Sequence, residues 1–224
     1  LPAAARQGTG SVSEETLAKL EAALSAEPDS LKWASEYRQA IIKGGQYDRG
    51  IKFFETLTAD HPDAPNAWLN YGFAYVDKIP AAGSITQVIL ANTALSHFTK
   101  SLELRPSWIG YYTRGNSYLY WPKIFMRMHL GIADLEQAQA MQRADKKRPY
   151  HVRTFIALGD GYVKMDEVEK ARATWTAGLA QFPDNAALKT RLARNSDELQ
   201  ALLDEVFDPA KRVDTNLQEL WANP

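Results

Sequence analysis

The 224-residue sequence predicts an all-α fold, in which antiparallel helix pairs follow one another as a repeated array. Five prolines recur at separations of 34, 44, 43 and 34 residues: Pro28, Pro62, Pro106, Pro149 and Pro183. Between them, apolar residues return at helical spacing. No stretch alternates apolar and polar residues over strand length with turn signals on both sides. Regular breaks between helical stretches are typical of a repeat architecture.

Composition narrows the classes of function. Apolar residues make up 45% of the chain and charged residues 24%, which predicts a folded protein. The 26 basic and 27 acidic side chains nearly cancel, so no nucleic-acid partner is expected. With no cysteine, the chain has no thiolate nucleophile, disulfide or cysteine-ligated metal.

The first residues bear on localisation. Leu1-Pro2-Ala3-Ala4-Ala5 resembles the small-residue end of a secretory signal, and a cysteine-free chain suits an oxidising compartment. We therefore expect a periplasmic or otherwise exported protein. The alternative is a flexible linker on a cytoplasmic protein, since residues 8–11 are Gly-Thr-Gly-Ser. No uninterrupted apolar run is long enough to predict a transmembrane segment.

The N-terminal helix is predicted over Ser13 to Ala26, with Ser11 and Glu14 spaced as a capping box. Its leucines, Leu17, Leu20 and Leu24, lie on one face, which indicates half of a helix pair. The pair that follows has aromatic residues on both helices and a Gly45-Gln46-Tyr47 turn between them.

The last full unit has the most specific pattern: Phe155, Leu158, Gly159, Tyr162, Ala171, Trp175, Gly178 and Pro183. Two earlier units begin in the same way, with Trp68, Gly72 and Tyr75 and with Tyr111, Gly115 and Tyr118. These residue types and spacings resemble the tetratricopeptide repeat, a 34-residue helical hairpin. The glycine admits the partner helix, and a large aromatic residue fills the space beside it.

The resemblance covers about residues 30–185 and implies a right-handed superhelical solenoid of antiparallel helix pairs. We expect a flexible segment over residues 1–12 and a half repeat with four repeats over 13–187. Residues 188–224 would form capping helices and a tail. Within the tail, Leu217, Leu220 and Trp221 have helical spacing, which predicts a docked or partner-binding helix.

The two middle units depart from the family. Trp68 to Pro106 and Tyr111 to Pro149 each span ten residues more than Phe155 to Pro183, so an insertion is expected at or beside each inter-helix turn. Both inserts are apolar, and we expect them to project from the same edge. Their apolar residues are Ile79, Ile85, Ile89, Trp121, Ile124, Phe125, Met126 and Met128.

Three interpretations of the inserts stay open at this point. The inserts pack on each other and extend the core, because burial is the default for apolar residues. Alternatively they form a partner-binding edge, or they dock on a membrane surface beside Lys123 and Arg127.

The sequence contains few residues or motifs that would indicate a metal, cofactor or catalytic site. The four histidines have no i, i+3 or i, i+4 spacing that would arrange a metal on one helix. Gly159-Asp160-Gly161 lacks the third glycine and the preceding strand of a dinucleotide fingerprint. No phosphate loop or nucleophile elbow occurs. We expect no metal, no cofactor and no catalytic residues.

In the family that the chain resembles, the first helix of each repeat lines a concave groove that binds peptides. The corresponding positions here mix aromatic, amide and charged residues, which suits protein recognition: Asn66, Asn70, Phe73, Asp77, Tyr112, Asn116, Tyr120, Arg153, Asp160 and Lys164. The resemblance implies a non-catalytic scaffold or accessory subunit that binds a protein partner through this groove, the apolar edge or both. The alternative is a permanent structural subunit of a larger extracytoplasmic or membrane-associated complex. The oligomeric state is left open.

Overall fold

The computed structural model describes residues 12–222. In this range the chain forms twelve α-helices joined by turns and three short 3₁₀ segments, and no strand is present. The predicted all-α class is confirmed. Residues 1–5 and Ser11 lie outside the described residues, so export stays a prediction. The expected Ser11 cap is wrong, because the first helix begins at Glu14 and its N-cap is Ser13. The described residues divide into two compact units, residues 12–105 with 212–222, and residues 106–211.

The first unit contains two helix pairs, preceded by one helix. The helices are α1 (Glu14–Ala26), α2 (Leu31–Gly44), α3 (Tyr47–Asp60), α4 (Pro65–Lys78) and α5 (Ser84–Leu104). Ser13 and Ser30 cap α1 and α2 by accepting backbone N–H bonds. Gly45 ends α2 in the left-handed region, with φ at 64°, which favours glycine.

A single core holds these helices together. Leu17 and Leu24 of α1 pack with Tyr37 of α2 and Phe54 of α3, and all four side chains are fully buried. In the next pair, a Cβ at Gly72 of α4 would overlap the ring of Phe98 on α5. The glycine therefore sets how closely these two helices approach, as the sequence pattern predicts.

The second unit contains two further helix pairs and two shorter helices. These are α6 (Trp108–Tyr118), α7 (Met128–Arg143), α8 (Val152–Lys164), α9 (Val168–Gln181), α10 (Ala186–Ala193) and α11 (Ser196–Val206). Trp175 of α9 is fully buried, and a Cβ at Gly159 of α8 would overlap its indole. Asn195 and Glu198 form a capping box at the start of α11.

The two inserts take different forms. In the first unit, residues 79–81 make a 3₁₀ turn, and α5 is then 21 residues long where α3 has 14. In the second unit, residues 119–127 form an irregular connection with a 3₁₀ turn at Lys123–Phe125. Met126 follows that turn with φ at 52°, in the left-handed region. One insert thus lengthens a helix and the other lengthens a turn.

The C-terminal tail differs from its prediction. A helix was expected from helical spacing, but residues 212–217 are not helical and only α12 (Glu219–Ala222) forms. Asp214 accepts a bond from the N–H of Asn216, and Asn216 accepts one from the N–H of Gln218. Such side-chain bonds to nearby N–H groups compete with helix formation. This tail belongs to the first unit.

Candidate partner-binding site

The predicted groove residues of the first unit lie along α4, and three of the four are buried. Asn70, Phe73 and Asp77 are buried, whereas Asn66 is half-buried. Asn66 binds the turn between α1 and α2: its N–H donates to Asp29 Oδ1 at 2.7 Å, and its Nδ2 donates to the Asp29 carbonyl at 2.9 Å. These positions of α4 are therefore already occupied by contacts within the unit.

The centre of this arrangement is Arg38 of α2, which is only 1% exposed. Its Nε donates to Asn70 Oδ1 at 2.8 Å, and its Nη1 donates to Asp77 Oδ2 at 2.8 Å. The guanidinium also lies over the Phe73 ring, 4.6 Å from the centroid. A buried charge of this kind requires both an ion-pair partner and full hydrogen bonding.

Arg38 donates its remaining hydrogen bonds to the C-terminal tail. Its Nη1 donates to Thr215 Oγ1 at 3.0 Å, and its Nη2 donates to the Thr215 carbonyl at 2.8 Å. The Thr215 hydroxyl donates in turn to Asp77 Oδ1 at 2.6 Å. Thr215 thus completes the hydrogen bonding of both Arg38 and Asp77.

Two more contacts fix the tail along α2 and α4. The Leu217 N–H donates to Ser35 Oγ at 3.2 Å, and the Leu217 side chain is buried. Arg212 donates to the Asp77 carbonyl at 2.9 Å and to Tyr47 Oη at 2.7 Å. Residues 212–217 and the faces of α2 and α4 beneath them are called the tail site below.

Four residues of the tail site were not predicted as groove residues from the sequence: Ser35, Arg38, Thr215 and Leu217. One signal was available: Arg38 lies in a helix between Tyr37 and Ile41, which are both buried. A charged residue on a buried helix face needs a partner, but nothing in the sequence indicates that the partner is 177 residues away.

In the second unit, the predicted groove residues also make internal contacts. Asp160 is buried and forms a bidentate pair with Arg191 of α10, at 2.6 and 2.7 Å. Burial raises the pKa of the Asp160 carboxyl, while Arg191 opposes that rise. Tyr112 stacks on Trp108 with the two rings parallel, 5.1 Å apart.

Tyr120 and Lys164 are covered by the end of α11. The Tyr120 ring meets Phe207 edge-on at 5.0 Å, and burial raises the pKa of Tyr120 to about 12. The Lys164 ammonium lies 4.4 Å from the Phe207 centroid and donates to the Leu119 carbonyl. Asn116 and Arg153 are half-buried.

The inserts expose most of their predicted edge residues. Ile85 and Ile89 on α5 are 82% and 59% exposed, and Val88 between them is 45% exposed. In the second unit the exposed residues are Ile124, Phe125 and Met126. Ile79 is half-buried, and Trp121 and Met128 are buried. Trp121 packs against Phe125 and the Arg127 guanidinium, so it supports the turn from inside.

Among residues 12–222, no three His, Asp or Glu side chains are grouped so as to hold a metal ion. No helix in that range has the length and apolar character needed to cross a membrane.

Comparisons with known proteins agree on one family. A model of the tetratricopeptide repeat matches residues 14–75. Tetratricopeptide repeat protein 8 of Caenorhabditis elegans is 29% identical over 94 residues, which are 42% of this chain and 18% of that protein. A thermophilic tetratricopeptide-repeat protein of Thermus thermophilus has a similar fold, with a TM-score of 0.60 and 20% identity over 83% of this chain and 89% of that one.

Part of the sequence and the fold of this chain are therefore similar to those of tetratricopeptide-repeat proteins. The helix pairs that follow one another along the chain are α2/α3, α4/α5, α6/α7 and α8/α9. The tetratricopeptide fold supports a scaffold for protein–protein interaction in general, and it implies protein partners. The chain spans less than a fifth of the length of its Caenorhabditis elegans relative.

Proposed function

We propose that this protein is a non-catalytic scaffold or accessory subunit that binds a protein partner through the exposed apolar residues of its inserts. One observation carries the proposal: residues 79–99 contain no Asp, Glu, Lys or Arg, yet Ile85, Val88 and Ile89 are exposed within this stretch. Exposed apolar surface that lacks charged neighbours is typical of a partner-binding site.

The geometry of α5 suits a helix-mediated contact. Ile85, Val88 and Ile89 have the i, i+3, i+4 spacing that places side chains on one face of a helix. Each such side chain gains about 1.5–3 kcal/mol when it is fully removed from water. A partner with an apolar groove would therefore bind the first two turns of α5.

The second insert offers a fixed apolar turn. Ile124 and Met126 are 85% and 77% exposed, at the tip of the 3₁₀ segment. Lys123 at its base pairs with Asp166 at 2.7 Å, and the Arg127 guanidinium lies 4.0 Å from the Trp121 ring. Because the turn is held on both sides, a partner would meet it with little loss of conformational entropy.

The occupied groove positions support the choice of the inserts over the groove. Asn70, Phe73, Asp77 and Asp160 are buried by other parts of the chain, so they offer no free surface in this state. The absence of catalytic residues remains an interpretation of the sequence, which contains no nucleophile elbow or phosphate-binding motif.

Site-specific photocrosslinking tests the proposal. A photoreactive amino acid at position 88 should crosslink to one defined protein in extracts of the source organism, and the same group at Glu55, an exposed residue of α3, should not. Affinity for the identified protein should then fall about tenfold or more in the Ile85→Ser/Ile89→Ser variant, because two apolar contacts are lost.

The matched control removes two exposed apolar residues elsewhere, by Met165→Ser and Val206→Ser. This control should bind as the unaltered chain does, and both variants should keep its helical circular dichroism. Equal affinity of all three chains would reject the proposed edge.

The exposed inserts also favour a second candidate, a permanent structural subunit of a larger complex. An obligate interface would keep these residues buried at all times, and the isolated chain would then self-associate. Light scattering separates the two candidates: a monodisperse chain supports the transient scaffold, and concentration-dependent association that Ile85→Ser/Ile89→Ser abolishes supports the subunit.

A further inference from the structure

The tail site has the features of a bound peptide in its receptor. Residues 212–217 are not helical, and side chains of α2 bind their main chain: Arg38 donates to the Thr215 carbonyl, and Ser35 accepts from the Leu217 N–H. Main-chain bonds give such a complex affinity, and pockets for alternate side chains give it specificity. Thr215 and Leu217 are the two alternate side chains that are buried here.

The receptor side is polar and nearly closed to water. Arg38 and Asp77 are 1% and 3% exposed, and Arg38 gives two of its four hydrogen bonds to Thr215. When Thr215 leaves, both charges lose bonds inside a confined site. Such a site strongly favours an occupant with a hydroxyl and a carbonyl at the same places.

We propose that the α2–α4 face is a peptide-binding site for non-helical segments with an Arg-x-x-Thr-x-Leu pattern, and that residues 212–217 occupy it as a built-in competitor. Threonine supplies the hydroxyl between Arg38 and Asp77, leucine fills the buried position beside Ser35, and arginine reaches Tyr47 and the Asp77 carbonyl. The occupant in trans is a segment of another protein, and this inference is independent of the apolar inserts.

The choice of another protein follows from the tether. The tail belongs to the same chain as its receptor, with residues 106–211 between them in the sequence, so it competes intramolecularly. A second copy of this chain has the same tail and no additional contacts, so it does not displace the first. A partner that displaces the tail must make contacts with this chain beyond those of the Arg-x-x-Thr-x-Leu pattern.

A labelled peptide tests the site. The probe is a fluorescent synthetic peptide of residues 211–222, Lys-Arg-Val-Asp-Thr-Asn-Leu-Gln-Glu-Leu-Trp-Ala. The receptor is the full chain, either unaltered or with its own tail weakened by Thr215→Val and Leu217→Ala. The weakened chain should bind the probe about tenfold or more tightly than the unaltered chain, because the tethered competitor is lost.

Two controls define specificity. The probe with Thr215→Val should bind the weakened chain about tenfold less tightly, since Arg38 and Asp77 then lose their shared hydroxyl. Adding Asp77→Asn to the weakened chain should have a similar effect on the original probe. Equal affinity for both receptors, or no binding to a weakened chain that keeps its helical circular dichroism, would overturn the proposal.

A second measurement uses only the unaltered chain and so does not depend on how the variant folds. Hydrogen exchange of the Leu217 amide, which donates to Ser35, should accelerate when unlabelled peptide is added in the millimolar range. A peptide with the same composition as residues 211–222 in scrambled order should leave this exchange unchanged. Unchanged exchange with both peptides would overturn the inference, as would a dimer formed by exchange of tails.

Discussion

Gly159 shows how a single missing side chain sets helix packing. A Cβ at this position would overlap the indole of Trp175, which is fully buried on the facing helix. Gly159→Ala should therefore reduce the free energy of unfolding by about 1–3 kcal/mol through overpacking. Urea titration followed by circular dichroism measures the loss.

The matched control at this scale is Gly44→Ala. The nearest atoms to a Cβ at Gly44 are 3.5 Å away or more, within ordinary contact distance. Alanine in a helix is favoured over glycine by about 0.5–1 kcal/mol, so this variant should be as stable as the unaltered chain or slightly more stable. If Gly159→Ala unfolds at the same urea concentration as Gly44→Ala, the packing described for α8 and α9 is wrong.

The pair α4/α5 contains a histidine that should make stability depend on pH. His97 lies among aromatic rings, with Tyr71 stacked on it at 4.0 Å, and no group in residues 12–222 makes a hydrogen bond to its buried Nε2. Burial lowers the pKa of His97 from 6.5 to about 4. Between these values the unfolded chain binds more protons than the folded chain, so stability should fall as the pH decreases from 6.5 toward 4.

The variant His97→Phe keeps an aromatic ring in the stack but cannot take up a proton. Its urea midpoint should fall less than that of the unaltered chain between pH 7 and pH 5. His151, whose pKa is also lowered by burial, is present in both chains and cancels in the comparison. Parallel pH profiles would show that His97 is not the group responsible.

Elements were predictable from the sequence where local patterns and packing agree. The spacing of Leu17 and Leu24 predicted α1, and the aromatic–glycine pairs predicted the helices of the later pairs. Both patterns are short-range signals of contacts between helices. The prediction of a helix over the tail was wrong because contacts with residues remote in the sequence decide its conformation. Leu217, Leu220 and Trp221 have helical spacing, but the bonds of Thr215 and Leu217 to α2 and α4 hold residues 212–217 in a non-helical conformation.

The candidate site was less predictable than the fold. Positions on α4 followed from the repeat, and Asn70 and Asp77 do meet in one cluster, but Arg38, which joins them, was not selected. To predict Arg38 as a site residue, one must know which residue completes its hydrogen bonding. That residue is Thr215, which is 177 positions away in the sequence. The position of a residue within a repeat can be predicted from the nearby sequence. The segment that fills a groove can come from any part of the chain and cannot be predicted in this way.

At the scale of the molecule, the tail joins the end of the chain to its first repeats. A chain that ends at Lys211 loses Thr215 and Leu217, and with them the hydrogen bonds to Arg38, Asp77 and Ser35. We expect the first unit to lose roughly 3 kcal/mol of stability from unmade buried hydrogen bonds and one vacated leucine position. The second unit keeps all of its own contacts.

Hydrogen exchange resolves this prediction unit by unit. Amides of α2 and α4 should exchange faster in the chain that ends at Lys211, while amides of α8 and α9 should keep their protection. A chain that ends at Gln218 is the matched control, because it lacks α12 but retains the docked residues 212–217. If both truncated chains exchange alike, the stabilisation comes from α12, and Arg38 does not depend on Thr215.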